Sequence, residues 1–252
     1  VHVCTRCQTA VAYNEIEYEK VTDPSVYVKF QIKDKPDEYL LIWTTTPWTL
    51  PSNMAIMAKP NAEYVKVNVN NEILIVAKDL LETLMSKFNI KDYKILDSFK
   101  GKQLEGVRYN HPLYDLIPFL HNLKNIHKVV LSDQYVSLNE GTGLVHTAPG
   151  HGKEDYEVGM QNNLPAVNPL NLDGKFGENS GKYTSMCAKD ADKVIIQDLR
   201  NNNALLFEEK YTHDYPLCWR CSTPLLQMAV PQWFFKVTEI RDKLIKENQK
   251  LN

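Results

Sequence analysis

Apolar positions change period several times along the chain. Asn14–Val21 and Val26–Ile32 alternate and predict two strands, while Tyr39–Thr46 is rich in β-formers and predicts a more buried strand stopped by Pro47. Tyr64–Val69 and Glu72–Val76 flank Asn70-Asn71 as a hairpin around a tight turn. The period becomes helical over Ala77–Phe88, where Leu80, Leu81, Leu84 and Phe88 share one face. Tyr93–Phe99 predicts another strand, and Gly101–Gly106 a loop. Residues 109–127 hold Pro112, Pro118 and three histidines without a clear period, and predict irregular structure. Short strands follow at Val129–Leu131, Gln134–Ser137 and Gly143–His146. Lys153–Asn162 and Ala188–Asn202 predict helices, Leu205–His213 and Leu226–Lys236 strands, and Thr238–Gln249 a last charged helix capped by Thr238. Many short strands with few helices predict a β-rich α+β fold: a closed β-barrel core with peripheral helices.

Composition narrows the functions this fold could carry. The 252 residues are 43% hydrophobic and 24% charged, ordinary for a globular chain. No apolar run approaches the roughly 18 residues of a membrane span. With 29 basic against 31 acidic residues, the net charge of -2 gives no general grip on phosphate backbone. A nucleic-acid substrate would therefore be met only at a short end. The chain starts at Val1 without a Met or a secretory signal, which suggests a segment of a longer protein, although processing also removes an initiating Met.

The five cysteines fall at 4, 7, 187, 218 and 221. An odd count without a signal points to a reducing, cytoplasmic setting rather than a disulfide framework. Cys4-Thr-Arg-Cys7 and Cys218-Trp-Arg-Cys221 form two knuckles, a thiolate set that suits a structural zinc. Their long separation also leaves open that they are simply buried, inert thiols. If one metal joins them, the two chain ends meet, as an inserted domain requires. Cys187 has no partner and reads as an ordinary thiol.

Two strings hold the candidate chemistry. WTTTPWTLPSN, Trp43–Asn53, ends a strand in three threonines before Pro47 turns the chain. Thr44, Thr45, Thr46 and Thr49 bring hydroxyls that both donate and accept into a small space, although β-propensity alone also explains a threonine run. GTGLVHTAPGHGKEDY, Gly141–Tyr156, runs from a short strand ending at His146 through a tight loop into a helix near Lys153. Glu154 and Asp155 fall in the first turn of that helix, where acidic residues also simply complement its dipole.

Together the two strings resemble the editing domain of class I aminoacyl-tRNA synthetases, and most specifically the isoleucyl type. Thr46 and the Pro47-Trp48 pair are the positions that set this type apart from the valyl and leucyl ones. His213–Cys221 and Pro231-Gln232-Trp233-Phe234 look like the return to the main body of such an enzyme, so the resemblance spans nearly the whole chain. The 109–127 region and the Gly-His-Gly-Lys-Glu-Asp-Tyr string resemble the eukaryotic cytoplasmic branch.

The resemblance implies a single editing domain over 1–252, with 1–20 and 213–252 as junctions toward the parent synthetase. Activation of the amino acid with ATP belongs elsewhere in such an enzyme: neither a His-x-Gly-His nor a Lys-Met-Ser-Lys-Ser string occurs here. It implies deacylation of valyl-tRNA(Ile), and of valyl adenylate, with the 3′ terminal adenosine as partner. Editing is needed because one methylene gives a binding site only about 1–3 kcal/mol of discrimination, a limit for which this family is itself the established case. By the same resemblance, Asp155, Thr45 and Thr46 form the catalytic set, with Asp155 anchoring the α-ammonium. Thr44, Trp48, Thr49, Asn53, His146, Gly150, His151 and Gly152 bind substrate, with His146 as the wall that excludes isoleucine. Editing itself calls for no cofactor. The rival reading is a zinc-stabilised nucleic-acid-binding module without catalysis, which leaves the threonine string unexplained.

Overall fold

The computed structural model of the chain describes residues 1–251. Strands β1 (His2–Cys4) and β2 (Thr9–Val11) open the chain, and β3 (Ile16–Ile32) follows as one continuous strand where the alternation predicts two. Pro24 does not break it. Over residues 16–25 β3 pairs only with β12 (Leu205–Cys218), and a proline is tolerated on a strand with one open edge. From Val26 onward β3 also pairs with β4 (Glu38–Thr44), and its side chains become buried.

The sheet branches at β4. On one side it meets β3; on the other it runs parallel to β7 (Glu72–Ala77) near its start and to β11 (Leu144–Thr147) near its end. β5 (Ala55–Ala58) and β10 (Lys128–Leu131) continue beyond β11, whereas β6 (Glu63–Val69) and β8 (Lys94–Lys100) continue beyond β7. β9 (Tyr109–Asn110) attaches to the end of β3. The predicted closed barrel is corrected here. Among the described residues β8 and β10, the two ends of the path, do not pair, so the sheet is a half-barrel. The cause is the splay at β4: two neighbours share one edge of that strand, and the sheet halves they start diverge instead of meeting.

The hairpin at Asn70-Asn71 is present, with φ of 50° and 69° as its tight turn requires. The first helix, α1, is confined to Leu81–Lys87 after a short 3-10 turn. α2 (Lys153–Gln161) and α3 (Ala188–Asn201) lie where their periodicity places them. Gln134–Ser137 is not a strand, and the strand expected to run to Lys236 stops early, as β13 (Leu225–Gln227). The last helix, α4 (Val237–Asn248), starts after Lys236, and Thr238 is inside it rather than capping it. A small second sheet, in the order β13-β1-β2, joins the two ends of the chain. No helix among the described residues is long and apolar enough to cross a membrane.

Candidate functional site

A pocket of about 320 Å³ opens between the end of β4, the segment leading into β11, and the start of α2. Its floor depends on Gly143, whose φ of +76° excludes most side chains and whose Cβ would lie 2.3 Å from that of Ala77. Tyr64 Oη donates to the Gly143 carbonyl at 2.5 Å and holds the segment against the sheet.

One wall is a hydroxyl chain. Thr49 Oγ1 donates to the Thr46 carbonyl at 2.8 Å, which uses its one proton. In the 3.3 Å contact between the two hydroxyls Thr46 is therefore the donor, and in its 3.2 Å contact with Thr44 it is the acceptor. Thr46 Oγ1 keeps one lone pair for a water or substrate group. Thr45 lines the same wall, partly exposed.

Both pocket histidines have their ring nitrogens engaged. Asn53 Nδ2 donates to the Ala55 carbonyl and to His146 Nδ1, each at 2.8 Å, while Asn53 Oδ1 accepts from Tyr109 Oη at 2.6 Å. His146 Nδ1 is thus the acceptor, and Nε2–H donates to Thr49 Oγ1 at 3.0 Å. His151 Nδ1 donates to the Gln227 carbonyl at 3.1 Å, and its Nε2 accepts from Ser52 Oγ at 3.3 Å. Burial pushes His146 down to about 3 and His151 to about 4, so both are neutral at ordinary pH. Neither ring keeps a lone pair to take a proton from a substrate water. Each is a fixed wall.

Asp155 lines the same pocket from α2. Its Oδ2 accepts from the Ala148 amide at 2.9 Å, and among the described residues Oδ1 has no protein partner. Burial, with Glu154 adding to it, raises the carboxyl to about 6 against the pull of the Ala148 amide. The unfolded value is about 3.9, so folding favours the protonated form. That contribution is complete below about pH 4 and is lost as pH rises through about 6. Urea melts from pH 4 to 7 should show wild type losing stability relative to Asp155→Asn across this window; parallel curves would contradict the burial argument. Asp192 shifts in the same direction, but identically in both proteins.

Thr44, Thr45, Thr46, Thr49, His146, His151 and Asp155 all line the pocket. Trp48, Asn53, Gly150 and Gly152 do not. Trp48 is buried behind the wall, edge-on to His151 with ring centroids 5.0 Å apart. Asn53 is fully buried and touches the pocket only through His146. Gly150 sits against Val167, where a Cβ would come 1.9 Å from the carbonyl oxygen. Gly152 precedes α2 beside the Asp155 carboxyl. The sequence reading missed Tyr135, Ser137 and Glu140: Gln134–Ser137, expected as a strand, is a loop without a motif whose residues reach the pocket. It also missed Asp192, whose helical spacing shows only an apolar face interrupted by a carboxylate.

The four paired cysteines meet at the far end of β13. Their Sγ atoms all lie within 4.8 Å of one another, with Cys221 3.5 Å from Cys4 and 3.7 Å from Cys7. A tetrahedral zinc with Zn–S near 2.3 Å needs sulfurs roughly 3.8 Å apart, so the set fits. Cys187 is exposed and outside it.

No family model matches the chain. It is 47% identical to the isoleucine–tRNA ligase of Saccharolobus islandicus over 253 residues, which cover 100% of this chain and 24% of that protein. The isoleucine–tRNA ligase of Pyrococcus abyssi is also 47% identical, over 98% of this chain and 24% of its own length. Over nearly its whole length the chain is similar to isoleucine–tRNA ligases. It spans about a quarter of the length of these relatives. Among solved structures, the GlLeuRS-CP1 crystal structure aligns with a TM-score of 0.55 at 14% identity, covering 77% of this chain and 99% of that one. A Plasmodium falciparum cytosolic leucyl-tRNA synthetase editing domain aligns at 0.53 and 12%, over 74% and 99%. At such identities the likeness concerns fold alone. The chain therefore has the editing-domain fold, with both strings lining one pocket.

Proposed function

We propose that the chain hydrolyses the ester between a mischarged valine and the 3′ terminal adenosine of tRNA(Ile), and can act on valyl adenylate as well. Water adds to the ester carbonyl, the ribose oxygen leaves with a proton, and valine and uncharged tRNA result. The observation that carries this reading is Asp155 Oδ1, a carboxylate oxygen without a protein partner in a small pocket that the threonine hydroxyls also line. An ionised Asp155 binds the α-ammonium by a charge-assisted bond and so fixes a substrate with few other handles. Thr45 and Thr46 position the ester and the water, the latter through the remaining lone pair of Thr46. Neither pocket histidine serves as base, since all four ring nitrogens are engaged. The deciding experiment is release of valine from valyl-tRNA(Ile) by the chain; release no faster than the buffer rate would sink the proposal.

His146 sets the size limit in this reading. Held by Asn53 and Thr49 from both sides, its ring cannot move aside for one more methylene, worth about 0.8 kcal/mol if it could be buried. His146→Ala should open the wall and bring isoleucyl-ester hydrolysis to within about tenfold of the valyl rate. Undiminished protection of isoleucyl-tRNA in that variant would remove His146 from the sieve.

A further inference from the structure

Pro47–Ser52 forms a 3-10 turn whose first residues need acceptors for their amides. Pro47 has none to donate, and Thr49 N bonds to the Thr46 carbonyl at 3.0 Å. The remaining donor is Trp48 N. The residue placed to cap it is Thr46, and threonine hydroxyls commonly do so. Here Thr46 makes no such side-chain bond. Trp48 N instead donates to Asp192 Oδ1 at 2.7 Å, across 144 residues of sequence. Asp192 lies on α3, is only 4% exposed, and sits in a region where α3 packs directly on the turn. The charged and titratable groups near it are Lys189 on α3 and Asp23 on β3, which pair with each other at 2.7 Å, and Tyr215 on β12; His213 meets Asp23 in turn.

We infer that Asp192 is a positioning residue for the pocket: by capping the turn from another element it leaves the Thr46 hydroxyl turned into the pocket. Asp192 and the Thr46 hydroxyl compete for one donor. A buried amide without an acceptor is costly, so if Asp192 were absent the nearest hydroxyl, Thr46, would rotate back to take Trp48 N. Thr46 would then leave the hydroxyl chain with Thr44 and Thr49. A buried carboxylate is an expensive way to satisfy one amide, since burial opposes its charge. That cost is accounted for if a local cap would disarm the wall. This inference rests on the hydrolase reading for its kinetic consequence, but not for its geometric one.

Two measurements test it on the whole chain. In the first, Asp192→Ala should shift the Thr46 γ-methyl resonance and reduce exchange protection of the Trp48 amide, while Asp192→Asn, whose amide oxygen can still accept, should restore both toward wild type. An unmoved Thr46 methyl in Asp192→Ala overturns the inference, whatever the activity. In the second, hydrolysis of a 3′-valyl adenosine ester should fall about tenfold or more in Asp192→Ala, mainly in kcat with KM nearly unchanged, and return largely in Asp192→Asn. Thr46→Val should then cost much less in the Asp192→Ala background than in wild type. Fully additive losses would also overturn it. If wild type fails to hydrolyse the ester while the resonance shift appears, the hydrolase reading fails and the positioning role stands.

Discussion

Asp155→Ala should reduce valine release from valyl-tRNA(Ile) by thirty- to several-thousandfold. This range corresponds to the about 2–5 kcal/mol lost when one partner of a buried, hydrogen-bonded charge pair is truncated. The substrate's α-ammonium would enter a pocket where the remaining wall offers hydroxyls but no charge beyond Glu140 at the rim. It would lose both its orientation and its compensation for leaving water. The fold should survive, because burial already disfavours the carboxylate and the Ala148 amide it releases faces the pocket, where water can accept from it. Thermal melts measured beside the deacylation assay separate the two effects. Hydrolysis within a few-fold of wild type in a folded Asp155→Ala chain would mean that the ammonium is held elsewhere. Asp155→Asn should lie between the two, since it keeps an acceptor but loses the charge.

Much of this pocket was legible in the sequence, because its walls are local. The threonines reach it through a single strand end and turn, and Asp155 through the first turn of a helix that its own spacing predicts. The parts that were not legible depend on contacts distant in sequence. Asp192 reaches Trp48 across 144 positions, and Asn53 acts on the pocket through His146, 93 positions away. Asn53 and Trp48 carry the right motif but stand one layer behind the surface expected of them. The half-barrel was illegible for a similar reason. Alternation identifies a strand, but it does not say that β7 and β11 share one edge of β4, which is what keeps the sheet open.

Removing metal from the cysteine cluster should release the chain ends locally without unfolding the half-barrel. In the sheet of β13, β1 and β2, Val3 and Leu226 reach the main core, but at its metal end, among the described residues, Val11 and Leu225 are the buried large apolar side chains, beside Cys4 and Cys218, with Ile16 partly buried against them. Val11 and Leu225 each contribute about 1.5–3 kcal/mol on burial. A structural zinc contributes roughly 10 kcal/mol or more when its site forms only in the folded state, so the metal outweighs the apolar contacts there. The purified chain should hold one zinc. Chelation, or Cys218→Ser, should raise amide exchange in His2–Cys4, Thr9–Val11 and Leu225–Gln227 by about a hundredfold, equivalent to about 2.7 kcal/mol. The β6–β7 hairpin, buried in the main core, should be unaffected. Equal protection with and without metal would show that the thiols pack as inert neighbours. The loosening should also reach the pocket, because the Gln227 carbonyl on β13 fixes His151 through Nδ1 at 3.1 Å. Hydrolysis should therefore weaken on chelation and recover with added zinc, with its dependence on Asp155 unchanged, because the carboxylate is held by Ala148 and not by the small sheet.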